Sequence, residues 1–445
     1  MAQTKPVLVI YGATAYTAQQ LFTYLEEHPE AEDFDFILAG RNQTKLDKLN
    51  ESLKTKREVI VCELSDEEGV EAMVKRADVI VNFAGPYRWH NAEAMIRFVY
   101  LLSWSILLRK KTDQCRSACS KAGKHYIDLC GESAWLAKDI IPKYHSIASS
   151  TGACIVPSCG FDSVPSDLIV HLANQTLQTV RPGSTLADST SIFKVKGTIS
   201  GGTVQSMVTL TELPKEERRA GEFTLCPGVQ LPSTPPALTF SLPSTPLTPA
   251  RFASFFFMYV YNRTVVRRSQ FLSGVLPTQP GGKVMNYAEG LDIGYGKFGS
   301  ALATIGMMVF GGLFFGFKCI RNIILRYLPK PGEGATLEQL KSGHYQVTNI
   351  STEESSAPGH KPVKILTKFD GEGDPGYLNT CYLLAESALA LVLPAPKGTS
   401  RPPLAKTGGL LTPATAMGDV LVERLRKSGK FQITSEVLSE EKKDI

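Results

Sequence analysis

Residues 5–19, KPVLVIYGATAYTAQ, decide the fold that this sequence predicts. Residues 5–11 form a short apolar run rich in β-branched side chains, which is typical of a strand buried on both faces of a parallel sheet. Gly12 follows at once, and apolar residues then recur at helical spacing, at Tyr16, Leu21 and Leu25. A strand, a tight turn and a helix in direct succession predict one β-α unit.

The same alternation continues through the first part of the chain. We expect a helix at residues 42–53 and further strands at 34–38, 59–64, 78–83, 125–129 and from Cys154 onward. Regular alternation of this kind predicts a doubly wound parallel sheet with right-handed crossovers. Residues 1–168 are therefore interpreted as an α/β domain of the Rossmann type.

The turn after the first strand is the expected site of a dinucleotide pyrophosphate. In a G-x-x-G-x-x-G pattern its three key positions are Gly12, Ala15 and Ala18. The backbone N–H groups of the turn and the start of the helix offer donors and positive potential to a phosphate. The methyl groups of the two alanines narrow the approach, so the motif alone is weak. The predicted cofactor-binding residues of this turn are Gly12, Thr14, Ala15, Tyr16 and Thr17.

The end of the second predicted strand indicates the type of dinucleotide. NAD sites usually carry Asp or Glu there to bond the ribose 2′-hydroxyl. The sequence instead has Arg41 followed by Asn42, and a guanidinium can hold a 2′-phosphate and stack on adenine. NADP(H) is therefore favoured over NAD(H), with a surface arginine that begins a helix as the alternative.

Small residues follow the fourth predicted strand in the stretch NFAGPY, residues 82–87. Asn82, Ala84 and Gly85 are predicted to contact the ribose and nicotinamide, because small side chains let a ligand approach the backbone. Tyr87 would then face the substrate as a candidate proton donor. Ordinary turn chemistry explains the Gly-Pro pair equally well.

Two carboxylates follow the strand predicted at residues 125–129. Asp128 and Glu132 would face the cofactor crevice and could orient a substrate or relay a proton. Alternatively, Glu132 starts the next helix, where a negative charge is favourable. The scattered cysteines, including Cys115 and Cys119, lack the spacing of a zinc site, so no metal is expected.

Several motifs together resemble the saccharopine dehydrogenase-like oxidoreductases, and most closely the trans-acting enoyl reductases and their eukaryotic relatives. The resemblance implies a Rossmann domain followed by a mixed domain that covers the nicotinamide. Some of the eukaryotic relatives associate with lipid droplets. The matching segments are GATAYTAQ (12–19), AGRNQTKL (39–46), VNFAGPY (81–87), YIDLCGE (126–132), SCGFDSVPSDL (158–168), DPGY (374–377) and GGLLTPATAMG (408–418).

Residues 98–117, FVYLLSWSILLRKKTDQCRS, interrupt the pattern that this resemblance implies. The resembling segments would join Arg97 directly to Ala118. The apolar part of the insertion is too short to span a bilayer. As a helix it would be apolar on nearly every face, which is unusual for a crossover helix. We interpret it as a gene-model error such as a retained intron, with a hairpin extension or a membrane-touching loop as alternatives.

Residues 169–430 are predicted to form an α+β domain, with strands at 191–197, 205–210 and 363–370, and 431–445 a polar tail. Its segment 298–317, FGSALATIGMMVFGGLFFGF, has no charge and is long enough for a bilayer. A buried helix, a full span and a monotopic anchor are all compatible with it. Because resembling segments lie on both sides of it, we favour an anchor that dips into a membrane.

The composition limits the partners of the chain. The net charge of +5 over 445 residues is mild and no long basic block occurs, so nucleic acid is not expected. The N-terminus lacks a signal-peptide pattern, which predicts an intracellular protein. The expected partners are a lipid-like small molecule and a membrane or lipid-droplet surface, with a homodimer possible.

The leading functional hypothesis is an NADP(H)-dependent oxidoreductase that reduces an enoyl or carbonyl group of a lipid-like substrate, in lipid or glycolipid metabolism. The apolar segment motivates the substrate class and the resemblance motivates the reaction. One alternative is a lipid-droplet or membrane protein that keeps the fold with little turnover. Another is a saccharopine-type amine dehydrogenase.

Overall fold

The structure is a computed structural model, and it contains two seven-stranded sheets. The residues it describes are 5–112, 123–214, 221–235, 238–243, 245, 248–279, 281–330, 334–355 and 361–438. The strands, in chain order, are β1 Val7–Tyr11, β2 Asp35–Gly40, β3 Val59–Val61, β4 Val79–Asn82, β5 His125–Asp128, β6 Cys154–Val156, β7 Leu186–Lys196, β8 Thr239–Leu242, β9 Arg251–Phe255, β10 Asn286–Leu291, β11 His344–Glu353, β12 Lys364–Glu372, β13 Gly409–Leu410 and β14 Phe431–Val437.

Helices cover both sheets. The α-helices are Gln19–Glu26, Gln43–Ser52, Glu67–Arg76, Ala92–Thr112, Ser133–Trp135, Ile141–Thr151, Val164–Val180, Gly201–Glu212, Tyr259–Leu272, Gly296–Gly316, Lys318–Ile324, Leu337–Lys341, Thr380–Val392, Pro403–Thr407, Pro413–Ala416 and Gly418–Lys427.

The first sheet has the strand order β13-β6-β5-β4-β1-β2-β3, and all its pairings are parallel. Leu8 and Ile10 face one hydrophobic cluster while Val9 and Tyr11 face another, so both faces of β1 are covered. This two-sided burial explains why β1 is a continuous apolar run. The predicted doubly wound Rossmann architecture is confirmed.

The second sheet has the order β14-β12-β11-β7-β10-β9-β8 and is mixed, since β7 and β10 run parallel and the other pairs are antiparallel. The predicted α+β character of the second domain is therefore confirmed. The strand predicted at 205–210 is wrong, because these residues lie in the helix Gly201–Glu212. Its apolar residues Val204, Met207 and Val208 recur at helical spacing. The six residues 205–210 alone are too few to show that spacing.

Two strands lie outside the residue ranges predicted for the sheets that they join. The residues assigned to a polar tail at 431–445 include β14, which pairs along β12; residues 439–445 lie outside the described part of the chain. Phe431 and Ile433 are buried on alternate positions of β14, as in a strand with one covered face. The first sheet is likewise not confined to residues 1–168, since β13 pairs with β6.

The insertion predicted at 98–117 begins inside a packed helix. Phe98 and Val99 are buried in the helix Ala92–Thr112, and the Ser103 hydroxyl accepts a hydrogen bond of 2.8 Å from the Lys124 backbone N–H. The backbone at Lys124 therefore lies directly beside Ser103 of this helix. Residues 113–122 lie outside the described residues, and the gene-model interpretation stays a prediction.

Because Ser103 and Lys124 already touch, we expect deletion of residues 104–123 to leave the fold intact. The melting temperature should change by less than about 5 °C, since the described contacts of Phe98 and Val99 are kept. As a comparison, Val99→Ala should lower the free energy of unfolding by about 1–3 kcal/mol, because it removes buried methyl groups. Thermal unfolding followed by circular dichroism measures both. Loss of a cooperative transition in the deletion variant would show that the inserted residues are part of the core.

Candidate cofactor crevice and active site

Gly12 forms the floor of a crevice at the carboxyl end of β1. Its φ of 76° lies in the left-handed region, and a Cβ atom there would lie 3.0 Å from the Ala84 nitrogen. Both constraints require glycine. The N–H groups of Gly12 and Ala13 donate to the Ala39 carbonyl, at 2.9 and 3.1 Å, which fixes the turn to the end of β2.

The turn leaves donors for an anion. Among the described residues, the backbone N–H groups of Thr14, Tyr16 and Thr17 have no acceptor within hydrogen-bonding distance. The helix Gln19–Glu26 begins directly after them, and no side-chain cap covers its positive end. Ala18 is fully buried and packs in the hydrophobic core. Its methyl group therefore does not occupy the crevice, and the turn fits a pyrophosphate.

The second domain closes one side of this turn. The Tyr16 hydroxyl donates to the Ala335 carbonyl over 2.5 Å, and the Tyr16 ring lies edge-on to Tyr377, with centroids 5.4 Å apart. The Cys381 thiol donates to the Thr17 carbonyl at 2.9 Å. Tyr16 and Thr17 were predicted to bind the cofactor, and the structure shows that their side chains and carbonyls also hold the two domains together.

Arg41 follows β2 directly and is exposed. The helix after it is capped by Asn42, whose side chain accepts from the Lys45 N–H at 2.9 Å. Arg41 therefore does not serve as the helix cap, and its side chain is exposed at the carboxyl end of β2. The assignment of Arg41 to a 2′-phosphate stays a prediction.

Asn82 shapes the loop that faces Gly12. The residue is fully buried; its amide oxygen accepts from the Ala84 N–H at 2.8 Å and its amide nitrogen donates to the Tyr126 hydroxyl at 2.9 Å. Ala84 and Gly85 lie on the loop that Asn82 holds, close to Gly12. The structure thus brings the three predicted residues to the crevice, with Asn82 in a supporting position behind the backbone.

Tyr87 lies in the same network but faces inward. Its hydroxyl accepts from the Leu129 N–H at 3.1 Å and donates to the Asn82 carbonyl at 3.3 Å. The residue is buried, which raises the pKa of its hydroxyl well above 10. This geometry braces the loops after β4 and β5, so it does not support the predicted role of proton donor.

Asp128 is a fully buried carboxylate at the end of β5. One oxygen accepts from the N–H groups of Cys130 and Ser158, at 2.8 and 3.2 Å, and the other accepts from the Tyr126 hydroxyl at 2.9 Å. Burial raises the pKa of Asp128 to about 7, although these three donors favour the charged form. The carboxyl group therefore holds the loops after β5 and β6 in place.

Glu132 connects two loops at the mouth of the crevice. Its oxygens accept from the backbone N–H groups of Tyr87 and Arg88, at 2.7 and 3.2 Å, and partial burial raises its pKa. Glu132 also occupies the N-cap position of the helix Ser133–Trp135, without a side-chain bond to that helix. Glu132 therefore does begin a helix, as the alternative interpretation predicted. Its carboxylate, however, bonds the neighbouring loop instead of the helix.

A pair of hydroxyl groups at this edge was missed from the sequence. Ser158, with a φ of 65°, and Tyr261 lie 2.6 Å apart through their hydroxyl oxygens. Each hydroxyl is also within hydrogen-bonding distance of the Cys130 carbonyl, at 2.7 and 2.8 Å. Ser158 belongs to the conspicuous stretch SCGFDSVPSD, but Tyr261 comes from a helix of the second domain, and nothing in its local sequence indicates this contact.

Known proteins share this architecture and sequence. No family model matches the chain. It is 30% identical over 450 residues to the trans-acting enoyl reductase of Mycobacterium ulcerans, covering 96% of this chain and 97% of that protein. It is 29% identical over 447 residues to the trans-acting enoyl reductase of Mycobacterium bovis, covering 95% and 96%.

Two solved structures share the whole fold. Apo saccharopine dehydrogenase (L-Glu forming) from Saccharomyces cerevisiae has a TM-score of 0.53 at 12% identity and covers 98% of this chain and 100% of its own. Homospermidine synthase from Legionella pneumophila, in complex with NAD, has a TM-score of 0.50 at 9% identity and covers 97% and 91%.

The chain has the fold of saccharopine dehydrogenase, a Rossmann domain with a mixed-sheet domain, and its sequence relatives show that it is an oxidoreductase. It belongs to the family of the trans-acting enoyl reductases. The resemblance indicated by the sequence motifs is confirmed.

The buried carboxyl of Asp128 predicts a pH-dependent stability. Its pKa is 3.8 in the unfolded chain and about 7 in the folded one, so between these values only the folded chain keeps the proton. The contribution of Asp128 to the free energy of unfolding should therefore fall as the pH rises through this window, by up to about 4 kcal/mol, and stay level above it. Asp128→Asn should remove this fall while keeping a hydrogen-bonding amide in place.

Urea unfolding of the wild-type chain and the variant across this pH range measures the effect. The exposed Asp33 provides the control, since Asp33→Asn should follow the wild-type curve. Parallel pH profiles for Asp128→Asn and the wild-type chain would contradict the assignment of a raised pKa to Asp128.

Proposed function

We propose that the chain is an NADP(H)-dependent reductase of an enoyl or carbonyl group on a lipid-like substrate, working at a membrane or lipid-droplet surface. The observation that carries the proposal is the turn after β1, where Gly12 meets the loop at Ala84 and the following N–H groups are left for an anion. The names of the similar mycobacterial proteins support the reaction type.

The crevice has the groups that a phosphorylated dinucleotide requires. The open N–H groups of Thr14, Tyr16 and Thr17 would hold the pyrophosphate, and the Arg41 guanidinium would hold the 2′-phosphate. When bound, the nicotinamide supplies the hydride for the reduction. The chain's own residues have to orient the substrate, exclude water and provide a proton.

The hydroxyl pair of Ser158 and Tyr261 supports the proton-holding role. The two oxygens share one hydrogen bond at the carboxyl ends of β5 and β6, which is the edge of a doubly wound sheet where ligands bind. Burial raises the pKa of the Tyr261 hydroxyl as it does that of Tyr87, and both hydroxyls contact backbone; Tyr261 differs in sharing a hydrogen bond with a second hydroxyl, that of Ser158. Asp128 positions the pair by accepting from the Ser158 N–H.

Replacement of Arg41 tests the cofactor. Arg41→Gln should raise the Kd for NADPH by about 10- to 100-fold, because a charge-assisted contact to phosphate is lost. The Kd for NADH should change by less than about threefold, since NADH has no 2′-phosphate. Fluorescence titration of the purified chain measures both constants, and Arg76→Gln, an exposed arginine of the same domain, serves as the matched control.

Equal weakening of NADPH and NADH by Arg41→Gln would contradict the assignment of the 2′-phosphate contact. If the wild-type chain binds neither dinucleotide at millimolar concentration, the alternative of a fold kept with little turnover is favoured instead.

The helix Gly296–Gly316 supports the membrane part of the proposal, because its polar residues face inward. By length and composition it could cross a membrane, and only 17% of its most apolar stretch is buried. The Thr304 hydroxyl accepts from the Phe255 N–H and donates to the Leu238 carbonyl, both at 2.9 Å. The outer side carries exposed apolar side chains: Phe298, Leu302, Ile305, Met308, Val309, Phe310, Leu313 and Phe315.

The course of the chain favours a helix that lies on the surface of a membrane over one that crosses it. The helix Gly296–Gly316 follows β10 and precedes β11, and both strands flank β7 in the same sheet. A full span would place these neighbouring strands on opposite sides of the bilayer. Lys318, Arg321 and Arg326 follow the helix and suit an interface with anionic headgroups.

Charges on the outer face test the membrane contact. The double variant Leu302→Glu and Ile305→Glu should weaken binding to lipid vesicles by at least about 100-fold, because two large apolar side chains can no longer enter the lipid. The side chains are 71% and 58% exposed, so the melting temperature should not change. Sedimentation with phosphatidylcholine vesicles, with and without phosphatidylserine, measures binding.

Leu337→Glu is the matched control, since Leu337 is 49% exposed on a different helix. Unchanged vesicle binding by the double variant would exclude this helix as the membrane contact.

A further inference from the structure

Three loops converge at the adenosine end of the crevice. The Tyr11 hydroxyl at the end of β1 donates to the Cys62 carbonyl at 3.0 Å, and the Cys62 N–H donates to the Gly40 carbonyl at 3.0 Å. The Asn91 side chain, in the loop after β4, donates to the Leu64 carbonyl at 2.7 Å. The loops after β2, β3 and β4 are therefore bonded to one another around the end of β1.

This arrangement fixes His90 beside the loop that carries Arg41. The His90 N–H donates to the Pro86 carbonyl at 3.1 Å. The next residue, Asn91, has a left-handed backbone conformation with a φ of 54°. The His90 side chain is exposed, as is that of Arg41. Asn91 tolerates this backbone conformation better than most residues, so the loop can hold a defined shape without glycine.

We propose that His90 is a second specificity residue for the 2′-phosphate of NADP(H), acting together with Arg41. This inference rests on the proposed function, because it names a further contact for the proposed cofactor. An imidazolium at this position would donate a charge-assisted hydrogen bond that NADH cannot accept.

The charges around His90 give the contact a pH dependence. Partial burial and the nearby Arg41 guanidinium lower the pKa of His90 in the free protein. The other charged groups on the converging elements are Arg88 after β4, Glu63 and Asp66 after β3, and Lys45 on the helix after Arg41. A phosphate carrying nearly two negative charges would outweigh Arg41 and raise the pKa of His90 in the complex.

Binding of NADPH would then take up a proton, whereas binding of NADH would not. The affinity for NADPH should therefore fall as the pH rises through the range in which His90 loses its proton. The phosphate group itself titrates near pH 6, which changes NADPH affinity in every variant alike. The difference between the wild-type chain and a His90 variant isolates the contribution of the histidine.

The experiment measures the Kd for NADPH and NADH from about pH 6 to about pH 8.5. His90→Gln should raise the Kd for NADPH by about tenfold at the acidic end and by less than about twofold at the alkaline end, while the Kd for NADH stays constant. His344→Gln, which changes an exposed histidine of the second sheet, should follow the wild-type chain throughout.

The outcomes separate this inference from the proposed function. Tight NADPH binding with the same pH dependence in the wild-type chain and His90→Gln overturns the role of His90 and leaves the cofactor assignment intact. Equal weakening of NADPH and NADH by His90→Gln overturns it as well, since the phosphate is then not involved. Failure of the wild-type chain to bind NADPH overturns both.

Discussion

The close approach of Gly12 to the backbone of Ala84 is the constraint on which the crevice depends. The space for a Cβ atom is missing at Gly12, so the turns after β1 and β4 can meet only through glycine. That meeting leaves the N–H groups of the following turn pointing away from the protein's own acceptors. Because the helix Gln19–Glu26 adds its open positive end, an anion is the natural partner for this part of the sheet.

The buried polar residues at the same edge keep the surrounding loops in register. Asp128 and Glu132 each accept from backbone N–H groups of a neighbouring loop, and Asn82 accepts from the Ala84 N–H of its own loop. A buried carboxylate that loses such donors is strongly unfavourable, so these contacts restrict the loops to few conformations. Carboxylates that the sequence marks as chemical candidates thus have a positioning role, and the hydroxyl pair of Ser158 and Tyr261 is presented to the crevice by them.

The sequence predicted the parts of the molecule that local pattern encodes. A few consecutive residues are enough to recognise the apolar run of β1, the glycine after it and Arg41 after β2. Contacts between distant segments could not be predicted from the sequence. Tyr261 lies over a hundred residues from Ser158, and β13 and β14 pair with strands that come much earlier in the chain. Such pairings are selected by tertiary packing, to which a single sequence gives no local signal.

The helix Gly296–Gly316 exposes most of its apolar side chains because of the way it packs on β9. The helix lies against β9 near the edge of the second sheet, where Phe255 has an N–H and Leu238 a carbonyl that need partners. Thr304 serves both, and it is buried together with Ser300 and Phe314 on the inward face. With the inward side fixed in this way, the apolar residues are left outside, and they are too many and too exposed for water to be their natural solvent. The hydrogen bonds at the sheet edge and the exposed apolar surface therefore have one structural cause.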